Sequence, residues 1–144
     1  MALTPVPVAR KALLESIPGQ TGVEVLPLAQ CAWRVLADEL SALRTQPPFA
    51  NSAMDGYAVR GDDMAQGATL AVIGESAAGR AFEGAVGSGQ AVRIFTGAPM
   101  PDGADTILIQ EDADDVGSPT IRVRVPPAKG KFLRPAGLDF RKGD

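Results

Sequence analysis

Pro47-Pro48-Phe49-Ala50-Asn51-Ser52-Ala53-Met54-Asp55-Gly56-Tyr57-Ala58-Val59-Arg60 passes from a stiff entry through a polar turn into a strand. Each proline fixes φ near −65° and lacks a donor, so the approach is extended and rigid. Asn51, Ser52, Asp55 and Gly56 either hydrogen-bond their own backbone or tolerate positive φ, which places the turn there. Tyr57-Ala58-Val59 then starts a strand. The result is a constrained loop holding Asn51, Ser52 and Asp55 close together. A well-made turn needs no more purpose than that, yet the same loop can present polar groups to a ligand. Because Gly56 follows Asp55, backbone or ligand can approach the carboxylate closely.

Outward from this loop the chain changes character. Towards the N-terminus, Ala9, Leu13 and Ile17 recur at helical spacing, predicting a helix over 8–17 that Pro18-Gly19 ends. Residues 22–26 alternate like a short strand. Pro27 suits the start of a second helix with Leu28, Cys31, Ala32, Val35, Leu36 and Leu40 on its apolar face, Cys31 being a small buried hydrophobe and Trp33 falling outside that face. Past Ala42 the pattern is β. Strands are expected over 69–74, 90–95, 106–110 and 120–125, the last with Ile121, Val123 and Val125 on one face. Residues 75–89, with Gly79, Gly84, Gly87 and Gly89, read as a mobile surface excursion. The acidic run Glu111-Asp112-Ala113-Asp114-Asp115 lacks the ligand spacing of a calcium loop and reads as a solvated hairpin turn. The fold class is therefore α+β, mainly β: a small helical/strand domain (1–43), a Gly/Pro-rich β-barrel-like domain (44–135), and a segment (136–144) starting back towards the first.

Composition excludes several function classes. The chain has 144 residues with a formal net charge of −3, which argues against the positive field a nucleic-acid groove needs. It has no apolar run of about 18 residues for a membrane span, and Met1-Ala2-Leu3-Thr4-Pro5 has no signal-peptide layout. One cysteine allows no internal disulfide and fits a reducing cytoplasm. There is no histidine, so a His-based triad, a His-ligated zinc and a histidine proton shuttle are all excluded. No glycine run is followed by Gly-Lys-Ser/Thr, so no phosphate-cradling loop is present. Acid–base or ionic chemistry falls to carboxylates, Lys, Tyr or a bound ligand.

Three segments carry a resemblance. The opening stretch resembles the signature loop in the N-terminal half of the molybdopterin molybdenumtransferases (MoeA, and the E domain of gephyrin and its plant relatives). Val92-Arg93-Ile94-Phe95-Thr96-Gly97-Ala98-Pro99-Met100-Pro101-Asp102-Gly103-Ala104-Asp105 lies where that family has its other marked segment. Arg134-Pro135-Ala136-Gly137-Leu138-Asp139 sits where the family reads Arg-x-x-Gly-Glu-Asp. The resemblance covers nearly the whole chain but only the front part of the family's protein, and 140–144 read as the middle of a continuing segment, as in a truncated chain. Departures from the pattern are Trp33 for Gly, Ala50 for Asp, Phe132 for Asn and Leu138 for Glu.

The residues and the resemblance together give the candidate site. A carboxylate on a rigid loop can coordinate Mg²⁺, hold a water or act as a base; the resemblance places Asp55 in the active site, ordering the metal or the attacking molybdate. Asn51 and Ser52 can donate to an oxyanion. Thr96 leaves a strand with Gly97 clearing space beside it, a loop-closing threonine by itself and a contact to the pterin nucleotide by resemblance. Arg134 can grip a phosphate in two parallel bonds, or form with Asp139 an ion pair tying two domains. Asp105 and Glu111 rank lower, since each suits a turn or strand end. The family's reaction takes adenylylated molybdopterin and molybdate with Mg²⁺ and releases AMP and the molybdenum cofactor. By the same resemblance the full-length protein is a homodimer whose site combines this β-rich domain with the pterin-binding domain of the other subunit, so the fragment alone is expected to be inactive. The alternative is a non-catalytic dimerisation or scaffold module of the same fold.

Overall fold

The computed structural model describes residues 3–19 and 21–144, and the chain divides into two compact units, Met1–Leu40 and Ser41–Asp144. Among the described residues the first contains one α-helix, α1 (Val6–Glu15). It begins two residues earlier than the apolar spacing predicts, because Pro5 and Pro7 are tolerated at a helix start where no intrahelical N–H is needed. At its other end the Ser16 hydroxyl donates to the Leu13 carbonyl at 2.7 Å.

The two other elements expected in this unit do not form. Residues 22–26 join no ladder among the described residues, and 27–40 hold only a single 3₁₀ turn, Leu28–Gln30. The apolar side chains that would have driven a second helix, Leu28, Val35, Leu36 and Leu40, are all exposed. Helical stability comes mostly from packing such a face, and within this unit nothing covers it. Cys31 is half-buried rather than a core residue, its thiol directed at the Pro27 carbonyl (3.4 Å). Trp33 is fully exposed at φ 66°, a left-handed conformation where the resemblance leads one to expect glycine.

The second unit is the β domain. Strands β1 (Asn51–Ser52), β2 (Gly56–Val59), β3 (Thr69–Ser76), β4 (Gln90–Ile94), β5 (Thr106–Ile109), β6 (Ala113–Asp115), β7 (Thr120–Val123) and β8 (Leu133–Arg134) form two sheets. Six of them make one sheet in the order β5-β2-β4-β3-β7-β6, and β1 pairs with β8. Strand β2 lies between β5 and β4, antiparallel to both. Strand β6 arises inside the acidic run, which is therefore partly ladder, and Val125 lies beyond β7, exposed.

Strands β3 and β4 run parallel, so their connection must cross a face of the sheet rather than turn back tightly. Residues 77–89 do this. Most of them lie on the surface, as their glycines predict, but Val86 is buried and Phe82 packs with it against Ala58, Val92, Ile94 and Ile107, which anchors the segment to the core. The opposite face buries Val59, Leu70, Ala91, Leu108, Ile121 and Val123. Each Val, Leu or Ile fully buried contributes about 1.5–3 kcal/mol, so these two clusters hold the domain and its polar loops are carried on them. Residues 139–144 return alongside 42–46, with Gln46 N–H donating to the Phe140 carbonyl at 2.8 Å and Ala42 N–H to the Asp144 carbonyl at 2.8 Å.

Gly56 is buried where β2 meets β5, and a Cβ there would overlap the Leu108 carbonyl oxygen and the Ile109 Cα. Both are main-chain atoms and neither can swing aside. Gly56→Ala is expected to destabilise the domain by about 3 kcal/mol or more; urea unfolding of the two proteins side by side checks this, and equal midpoints would show that β2 can move away from β5.

Candidate functional site

Main-chain bonds bring the two loops together. Ser52 N–H donates to the Ala98 carbonyl (3.1 Å), Gly97 N–H to the Ser52 carbonyl (2.8 Å) and Met100 N–H to the Ala50 carbonyl (2.9 Å). Segments 50–52 and 97–100 are thereby laced side by side, and Gly97, at φ 82°, supplies the left-handed bend. On the other side Asn51 pairs with Arg134 in the β1–β8 ladder, and Ala53 N–H donates to the Phe132 carbonyl at 2.9 Å. Phe132 is itself left-handed at φ 61°, a conformation that the Asn expected there would hold with less strain.

This lacing places Asp55 against Thr96. The Thr96 N–H and the Thr96 hydroxyl both donate to Asp55 Oδ1, each at 2.8 Å. The backbone N–H is the main cause, and the hydroxyl the next, of an Asp55 carboxyl held below its ordinary value; partial desolvation opposes them and the charge of Arg93 adds a smaller lowering. Asp55 is thus a fixed, exposed carboxylate and a weak base. Its Oδ1 is occupied by Thr96, which leaves Oδ2 for an external partner. In its donor chemistry Asp55 could supply one oxygen ligand to a hard divalent cation. No group of three or more His, Cys, Asp or Glu side chains that could hold a metal gathers among the described residues.

The other candidate residues sit around this pair in different roles. Ser52 is fully buried and its hydroxyl is spent inside the turn, donating to the Met54 carbonyl (2.6 Å) and accepting from Met54 N–H (3.2 Å). Asn51 is 6% exposed; its Nδ2 reaches the Phe49 carbonyl at 3.5 Å, while its buried Oδ1 has no partner among the described residues. Arg134 donates to Asp139 Oδ1 at 3.4 Å, and both remain nearly half exposed, so this is a loose ion pair that a stronger anion can displace. Two residues that the sequence analysis did not pick out as site residues, Gln110 and Arg93 (the latter inside the second matched segment), belong to the neighbourhood. Gln110 N–H donates to the Asp55 carbonyl at 3.2 Å, and Arg93 donates to the Gln110 side chain at 2.7 Å. Neither spacing nor composition singles them out, because the β2–β4–β5 register alone brings them to Asp55.

Three comparisons with known proteins bear on this arrangement. Residues 4–144 match the family model described as MoeA N-terminal region (domain I and II). The chain belongs to the MoeA family. It is 41% identical to the molybdopterin molybdenumtransferase of Haemophilus influenzae over 136 residues, covering 94% of this chain and 34% of that protein. The corresponding protein of Nostoc sp. is 34% identical over 136 residues, covering 91% and 31%. The crystal structure of the molybdopterin biosynthesis MoeA protein from Pyrococcus horikoshii superposes with a TM-score of 0.78 at 34% identity, covering 99% of this chain and 39% of that one. The chain thus spans about a third of the length of the curated relatives it matches.

Asp105 has a different role from Asp55. Its Oδ1 accepts from Gly61 N–H (2.7 Å) and the Thr106 hydroxyl (2.8 Å), with Lys129 Nζ 3.4 Å from Oδ2. The Gly61 N–H is the chief cause of its lowered pKa. A carboxyl depressed in the folded state adds stability above its unfolded value near 3.8, and that stability is lost as pH falls through the lower folded value. Asp105→Asn is expected to lower the melting temperature at pH 7, with the gap from wild type closing below pH 3.8. Thermal unfolding from pH 7 to pH 2 measures it; a gap independent of pH would show that the cause is packing, not charge.

Proposed function

We propose that this chain forms part of a molybdopterin molybdenumtransferase, one that takes adenylylated molybdopterin and molybdate and releases AMP and the molybdenum cofactor. The observation that carries the reading is the Asp55 carboxylate, pinned by two donors from Thr96 on an exposed loop. Both substrates are anions. An ionised carboxylate beside an anionic oxygen is repelled by it, so in this reading Asp55 serves the reaction through an intervening cation. Asp55 would hold a Mg²⁺, which when bound would draw phosphate and molybdate oxygens together and neutralise developing charge.

The remaining tasks are positional. Thr96 spends its hydroxyl proton on Asp55, so towards substrate it offers oxygen lone pairs to an N–H or O–H of the pterin nucleotide. Arg134 exchanges its loose bond with Asp139 for a substrate phosphate. Asn51 Oδ1, buried without a donor, keeps the loop poised for one. A chain without histidine suits this chemistry, because molybdate is itself the nucleophile and the protein supplies alignment and charge. In this reading the enzyme works in the cytoplasm as a homodimer, with the pterin-binding part of the site on the other subunit.

The test is molybdate-dependent AMP release from adenylylated molybdopterin by the polypeptide that carries this chain together with a pterin-binding domain. Asp55→Asn is expected to lower turnover by about 100-fold or more while the fold is kept, and residues 1–144 alone are expected to release no AMP. Unchanged turnover in Asp55→Asn would remove Asp55 from the reaction. Retained binding of partners with no turnover in the wild type would instead make the chain a scaffold.

A further inference from the structure

We infer that Arg93 is a positioning residue for the Asp55–Thr96 pair, holding it through the residues on either side. Arg93 lies on β4, directly opposite Tyr57 on β2. Its Nη1 donates to the carbonyl of Gly56 at 3.2 Å, the residue that follows Asp55. Its Nη2 donates to Gln110 Oε1 at 2.7 Å, and Gln110 in turn gives its own N–H to the Asp55 carbonyl at 3.2 Å. The guanidinium carbon stands 5.1 Å from the centroid of the Tyr57 ring and 5.0 Å from that of Phe95, the residue before Thr96. One half-buried cation therefore touches the chain after Asp55, the donor to the Asp55 carbonyl, and the residue leading into Thr96.

Arginine suits this position better than lysine would. Its planar fork serves two acceptors at once while its faces lie against aromatic rings, with less ordering cost per bond than a flexible ammonium. Bonds from a charged donor are also roughly twice as strong as neutral ones. Among the described residues Arg93 makes no ion pair, so its donors go to a carbonyl and an amide whose placement sets the loop. An arginine acting only as glue would loosen the whole sheet on removal. A positioning arginine loosens the pair and spares the core.

Amide hydrogen exchange on the 144-residue chain separates these. In Arg93→Met the Thr96 and Gln110 amides are expected to exchange about tenfold faster, with Ile107 and Val123 in the core unchanged. Arg93→Lys should give a smaller acceleration at the same two amides. Gln110→Ala, at an exposed side chain, cuts one of the two bonds with Arg93 in place and should accelerate Thr96 in the same way should Arg93→Met fail to fold. Equal acceleration at Ile107 and Val123, or no change at Thr96, overturns the inference. The kinetic arm rests on the reaction proposed above: Arg93→Met is expected to lower kcat about tenfold with KM unchanged, and a rise in KM with kcat unchanged would count against positioning. Full activity in Asp55→Asn alongside selective Thr96 exchange in Arg93→Met would sink the reaction and leave the positioning role standing.

Discussion

Three main-chain hydrogen bonds, from Ser52, Gly97 and Met100, join segments that lie more than forty residues apart in the chain. Everything distinctive about the site follows from that lacing. It aligns the loop after β1 with the loop after β4, and its open end is where the Asp55 carboxylate meets the Thr96 N–H and hydroxyl. The lacing persists because both segments are anchored in packed structure. Ser52 and Ala98 are fully buried, and β2 and β4, which continue from the two loops, are neighbours in the sheet. A side chain at Gly56 would force β2 off β5 and carry the Asp55 loop with it.

The two acidic groups with depressed pKa values show how similar chemistry serves different ends. Asp55 and Asp105 each accept a backbone N–H and a threonine hydroxyl on one oxygen. Around Asp105 the second oxygen meets Lys129, so the charge is answered within the fold and ties residue 61 to the 129–131 turn. Around Asp55 no lysine pairs with the second oxygen among the described residues, and the charge of Arg93 makes only the smallest contribution. The same pair of donors thus makes Asp105 a brace within the fold and leaves Asp55 ionised on an exposed loop.

Much of the β domain was legible in the sequence, since strand alternation and turn residues are local signals. Strands β2, β3, β4, β5 and β7 fall within one or two residues of where the pattern puts them. What could not be read depends on distant partners. The pairing of Asn51 with Arg134, the parallel β3–β4 pair and the burial of Val86 are consequences of strand order, which alternation does not encode. The helix expected over 27–40 failed for the converse reason, because its apolar face has nothing in its unit to pack on. For the site, Asp55 and Thr96 stood out by motif. Ser52 was legible as a turn residue but its hydroxyl is committed to that turn, and Arg93, though it lies inside the second matched segment, was not picked out within it, because its contacts depend on what the register sets beside it.

The parallel β3–β4 pair also bears on how the domain comes into being on the ribosome. Strand β2 has no hairpin partner, and its neighbours are residues 91–94 and 106–109. A nascent chain therefore extrudes an apolar strand, Ala58 and Val59 included, some thirty residues before anything can pair with it. Such long-range closure is slow and leaves a sticky edge exposed in the meantime. The polar run Arg60–Asp63 directly behind β2 keeps a charged, well-hydrated stretch next to that edge while it waits. The same topology makes assembly of the Asp55–Thr96 pair a late event, so a half-made chain carries the loop but not the site.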